Sequence, residues 1–191
     1  MIARFLYCVL LFWAAAPSAQ LPTPAPTPAP GPEVSVRRTD VDGEAVFEVG
    51  ASGIVAAAAP AVWKVLTDYE RMPEFVPDMQ SARVLERSGN RVVVEQLGTA
   101  RFLFIRRDIH LVVQVQEQPM TLIDVGLITG DMKLYNCRWE LQALAGGGTR
   151  IVYSGRLAPK FYVPAVLGAS LIRADITRMM TAVLERLERP D

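Results

Sequence analysis

Two stretches of this chain change from apolar to polar at nearly every step. Ile109, Leu111, Val113 and Val115 lie on one side of the first, with His110, Gln114 and Gln116 on the other. In the second, Tyr135, Cys137, Trp139 and Leu141 oppose Asn136, Arg138, Glu140 and Gln142. A period of two belongs to a strand with one buried face and one wet face, so this half of the chain has to become antiparallel sheet. Further strand-like runs fall at 44–55, 82–86, 92–97, 101–105, 121–128, 133–144 and 149–157. Ser88-Gly89-Asn90 and Gly146-Gly147-Gly148 supply hairpin turns between them.

The rest of the folded part is helical. Pro60 opens a segment with Val62, Leu66 and Tyr69 at helical spacing, which Met72-Pro73 ends; PEFVPDM then predicts a second short helix before Pro77. From Val163 to Glu188, Ile172, Ile176, Met179, Val183 and Leu187 form one stripe at three- and four-residue steps. At about 1.5 Å per residue this helix is over roughly 35 Å long and can cross a whole sheet. The order is one strand, two short helices, a run of antiparallel strands and a long helix. The fold class is therefore α+β, with a curved antiparallel sheet wrapped around the terminal helix. Such wrapping leaves room between the layers for an apolar ligand.

Before the domain, residues 1–19 read as a secretory signal peptide. Arg4 precedes an apolar run from Phe5 to Ala16, followed by small residues. The run is short of the roughly 20 residues of a membrane span. Residues 20–34 alternate proline with small residues and predict an extended linker, leaving a domain at 35–191. Cleavage removes Cys8, so Cys137 has no disulfide partner although the expected periplasmic or secreted location permits one.

Composition closes several routes. With 51% hydrophobic and 21% charged residues the chain is not disordered, and 20 basic against 20 acidic groups give no attraction to nucleic acid. His110 is the one histidine, and no G-x-S-x-G elbow accompanies it. No cluster has metal-ligand spacing, and the glycine run lacks the Lys-Ser/Thr of a phosphate loop. No metal and no cofactor are expected.

The strings VWKVLTDYERMPEFVPDM (62–79), VVVEQLG (92–98), GDMKLYNCRWEL (130–141) and GTRIVYSGRLAPKFYVP (148–164) resemble, in order, the polyketide cyclase/dehydrase and coenzyme Q-binding branch of the START-like (SRPBCC) superfamily. That resemblance implies a helix-grip fold and a cavity for a hydrophobic or lipid-like ligand. The expected partner is a hydrophobic small molecule or lipid, quinone-like or otherwise, with transient membrane contact and no nucleic acid. Expected cavity residues are Phe102, Phe104, Tyr135, Trp139 and Tyr153, with Phe75, Val76, Phe161, Leu167 and Leu171 as an apolar gate. The alternative is a cyclase or dehydratase using the same cavity, for which Tyr153, Asp131 and Gln96 are the candidate acid–base residues. Tyr135 and Trp139 read equally well as plain core, and Asp131 as a turn residue.

Overall fold

The computed structural model describes residues 31–102, 105–164 and 166–189. The expected signal peptide and most of the expected linker lie outside them. The elements are β1 (Glu33–Val41), β2 (Glu44–Val55), α1 (Ala59–Thr67), a 3-10 turn (Tyr69–Glu74), β3 (Met79–Ser88), β4 (Arg91–Phe102), β5 (Ile105–Gln118), β6 (Leu122–Gly130), β7 (Met132–Ala143), β8 (Thr149–Pro159) and α2 (Gly168–Glu188). The eight strands form one sheet in the order β1-β2-β8-β7-β6-β5-β4-β3, every neighbouring pair antiparallel. This is the helix-grip architecture.

The period-two readings hold. Val113, Val115, Cys137, Trp139, Leu141, Ile151 and Tyr153 are all buried, while Gln116, Asn136, Arg138 and Gln142 are exposed. Helix α2 lies across this inner face, burying Ile172, Ile176, Met180, Val183 and Leu184. Each such aliphatic side chain contributes roughly 1.5–3 kcal/mol when fully withdrawn from water.

Four details differ from expectation. The sheet has a strand before β2, beginning inside the expected linker. Asp42 and Gly43 both hold positive φ (53° and 80°), the pair of left-handed positions a two-residue hairpin turn requires. That turn folds β1 back along β2. The first helix stops at Thr67 because Asp68 leaves helical geometry (φ −86°, ψ 67°), and the chain continues as the 3-10 turn containing Pro73; PEFVPDM forms no helix of its own. Helix α2 starts at Gly168 rather than Val163, since a residue preceding proline is pushed out of the α region. Its buried stripe passes through Met180 and Leu184, which leaves Met179 half-buried on the flank.

Candidate functional site

Where the inner face of the sheet meets α2 the side chains do not fill the space. An inner chamber of about 80 Å³ is lined by Leu66, Tyr69, Met72, Val115, Ile123, Val125, Cys137, Trp139, Tyr153 and Val183, together with Val76, Met79, Gln96, Tyr135 and Met179. Those last five residues also line an outer cleft of about 240 Å³ between α2, the 76–79 segment and β4. The two hollows are thus adjoining chambers with a shared wall. Two of the wall residues are methionines, whose unbranched thioethers adapt to the shape of what they touch.

Among the described residues, no charged side chain lines the inner chamber. Its polar groups are Gln96, the hydroxyls of Tyr69, Tyr135 and Tyr153, the Trp139 indole and the Cys137 thiol. Tyr135, Cys137 and Tyr153 converge closely enough that each shifts the ionisation of the others. Trp139 and Tyr153 pack ring against ring, their centroids 4.7 Å apart and tilted by 56°. Burial pushes the Cys137 thiol up to about 11. The nearby Cys137 group, and then burial, raise Tyr135 well above the ordinary phenol range; burial first, then Cys137 and Tyr135, raises Tyr153. All three are neutral at physiological pH. They can exchange hydrogen bonds with a ligand oxygen, but none is a ready base or nucleophile. Among the described residues the Gln96 side chain makes no hydrogen bond, so its amide is available on the wall of both chambers.

The rim of the cleft is charged. Arg178 on α2 donates to Asp78 at 3.0 Å and to Asp175 at 2.6 Å. Asp78 sits at φ 64°, and its carbonyl accepts the Thr99 N–H at 2.8 Å. A Cβ at residue 98 would lie 2.9 Å from that carbonyl oxygen, so only glycine lets the 76–79 segment come this close to β4. The rim therefore ties α2 to the segment that closes the cleft.

A second polar cluster lies at the far end of the inner chamber. Tyr69 donates to Glu117 at 2.8 Å, and Arg87 reaches the same carboxylate at 3.2 and 3.3 Å. Glu117 is 7% exposed. Burial, followed by the Glu117 hydrogen bond, raises the Tyr69 phenol far above its ordinary value. This cluster joins the 3-10 turn to β3 and β5, and its groups are committed to one another.

The expected site residues separate into groups. Val76, Gln96, Tyr135, Trp139 and Tyr153 line the chambers. Asp131 does not: its carboxylate accepts the His110 backbone N–H at 2.8 Å, at the turn between β6 and β7. His110 faces outward and pairs with Glu95 at 3.1 Å. Phe75 and Phe161 pack against the core from outside the chambers, the Phe161 ring lying under Arg107 at 4.9 Å. Leu171 is half-buried on α2 and Leu167 is 39% exposed; neither lines a chamber. Phe104 lies outside the described residues, as does the side chain of Phe102. The sequence reading missed the methionines Met72, Met79 and Met179 and the Arg178 rim. Only Met179 carried a signal, its place on the apolar stripe of α2.

A family model described as polyketide cyclase/dehydrase and lipid transport matches residues 55–184. No curated protein matches the chain. Among solved structures, the Zhui aromatase/cyclase from a Streptomyces species superposes with a TM-score of 0.64 at 16% identity, covering 74% of this chain and 93% of its own. A STAR-related lipid transfer protein from Xanthomonas axonopodis gives 0.63 at 20% identity, covering 85% and 97%. Human StAR-related lipid transfer protein 5 gives 0.63 at 15%, covering 85% of each chain. These likenesses are likenesses of fold.

Proposed function

We propose, from the premise that this chain belongs to the polyketide cyclase/dehydrase and lipid transport family, that it is an exported carrier. It holds a hydrophobic small molecule, a lipid or a quinone-like compound, between sheet and α2. The observation that carries this reading is the adjoining pair of chambers, whose inner member is lined by no charged side chain among the described residues and whose polar groups are neutral donors and acceptors. Burying each ligand methylene contributes roughly 0.8 kcal/mol, so such a space holds apolar molecules with few directed contacts. Gln96, Tyr135 and Tyr153 would receive a carbonyl or hydroxyl on the ligand.

Two further observations favour carriage over cyclisation. Ring closure with loss of water needs a group that removes a proton near neutral pH, and Tyr135, Tyr153 and Cys137 are all shifted away from that role. The two lipid-transfer structures also align over 85% of this chain. The aromatase/cyclase aligns over 74%. Export is inferred from the signal-like first 19 residues. Brief contact with a membrane fits the exposed Tyr162 and Val166 after β8, which are 84% and 90% accessible.

The test is native mass spectrometry of the protein isolated gently from the envelope of its host, followed by titration of the stripped protein with neutral quinones, fatty acids and phospholipids. A retained or rebound apolar molecule is expected. A folded protein that carries none and binds none overturns the reading.

A further inference from the structure

Strands β6 and β7 are neighbours in the sheet, yet they pair only from Leu122↔Glu140 to Gly126↔Asn136. Above that rung the nine residues 127–135 form an arch instead of a tight hairpin. Each leg of the arch stays bonded to its outer neighbour: Leu127, Thr129 and Gly130 pair with β5, while Met132, Leu134 and Tyr135 pair with β8. The top of the arch is pinned in both directions. Asp131 exchanges bonds with His110 through its backbone N–H (2.9 Å) and its carboxylate (2.8 Å), and its carbonyl accepts the Lys160 N–H at 3.0 Å. Within 127–135, all of them described residues, no rung joins β6 to β7, so the two legs of the arch face each other without ladder bonds.

This unpaired stretch has a hollow on each side. Outside it lies a groove of about 720 Å³ on the outer face of the sheet, where Gly126 leaves the last rung without a side chain between Gln114 and Asn136. Inside it lies the inner chamber. Val125 and Cys137, partners on the next rung down, line both spaces. We infer that the arch between β6 and β7 is a side passage through the sheet, by which small apolar molecules reach the inner chamber without crossing the Arg178 rim. The inference rests on the carrier reading for its purpose, but the passage itself can be tested without any ligand.

Cys137 stands at the inner mouth and reports access. In a full chain carrying Cys8→Ser it is the one thiol of the sequence. Its reaction with N-ethylmaleimide, an uncharged reagent, is followed at one fixed pH by intact mass. Gly126→Trp and Asn136→Trp cover the outer mouth; a Cβ at 126 makes only an ordinary contact with Asn136, at 3.6 Å. Ala100→Trp fills the cleft instead. Labelling is expected to slow at least fivefold in each arch variant and less than twofold in Ala100→Trp. Loss of fold would speed labelling, so a slower rate reports a blocked path. Unchanged rates in both arch variants, or slowing confined to Ala100→Trp, overturn the inference. A protein whose labelling follows the arch but which binds nothing in the ligand panel retains the passage and loses the carrier reading.

Discussion

Two buried polar clusters sit under the same sheet, and they are built on opposite plans. Around Glu117 the groups are charged and mutually paired: a phenol and a guanidinium converge on one carboxylate. Around Cys137 they are neutral, lie close to one another, and face a hollow. A charge withdrawn from water is tolerable only with complete partners, so the first cluster fixes structure. Neutral hydroxyls and a thiol tolerate incomplete partners, so the second can leave donors for a guest.

The contrast can be broken most directly at Glu117. Glu117→Ala strands the Tyr69 hydroxyl and half-exposed Arg87, and is expected to cost about 2–4 kcal/mol in urea unfolding, with little change in ligand contacts. A loss below about 1 kcal/mol would mean the cluster is not holding the 3-10 turn. A slightly smaller effect is expected from alkali. A thiol raised to about 11 in the folded state stabilises the fold fully below its ordinary value of 9.0 and loses that contribution as pH climbs from there to about 11. This amounts to about 2–3 kcal/mol. Urea midpoints between pH 8 and pH 11 should fall along that window. Cys137→Ala should remove the decline that begins near pH 9 and lessen the part due to Tyr135 above pH 10, leaving chiefly the part that burial imposes on Tyr153.

Smaller effects sharpen the comparison. Tyr135→Phe and Tyr153→Phe should each change stability by less than about 1 kcal/mol, yet weaken binding of an oxygen-bearing ligand roughly five- to tenfold. Equal affinity for a quinone and its hydrocarbon analogue in the parent protein would contradict that. At the rim, Arg178→Ala breaks a solvent-open pair to Asp175 and a pair to Asp78, whose side chain is 16% exposed. It should cost under about 1 kcal/mol, and its mark should be faster ligand exchange through the cleft.

What was legible in the sequence follows from where periodicity operates. Tyr135, Cys137, Trp139 and Tyr153 were found because a strand repeats every two residues and their parity put them inward. The same parity carried Glu117 to the inner face, two residues past Val115, and an acidic residue on an apolar register was a readable signal of a buried pair. Asp42-Gly43 was likewise a hairpin signal, hidden by its nearness to the proline-rich stretch. The methionine wall was not readable. Met72 and Met79 lie on a 3-10 turn and beside a register shift, where no period applies, and they meet Met179 only because the 76–79 segment approaches β4 at Gly98. Asp131 had the composition of an acid–base residue, but its carboxylate is occupied by a backbone group twenty-one positions away.

The β1–β2 hairpin also sets which parts of the domain lie at opposite ends. Glu33 pairs with Ser52 at the end of β2 where Gly53 meets Leu184 of α2, so the chain arriving at β1 and the last turns of α2 share one pole. Nine residues at about 3.3 Å each carry β1 roughly 30 Å to the other pole. There Glu44 bonds Lys133 beside the arch, and Tyr162 and Val166 stand exposed. The chain entering at Glu33 and the arch beside the exposed loop therefore stand at opposite poles of the domain.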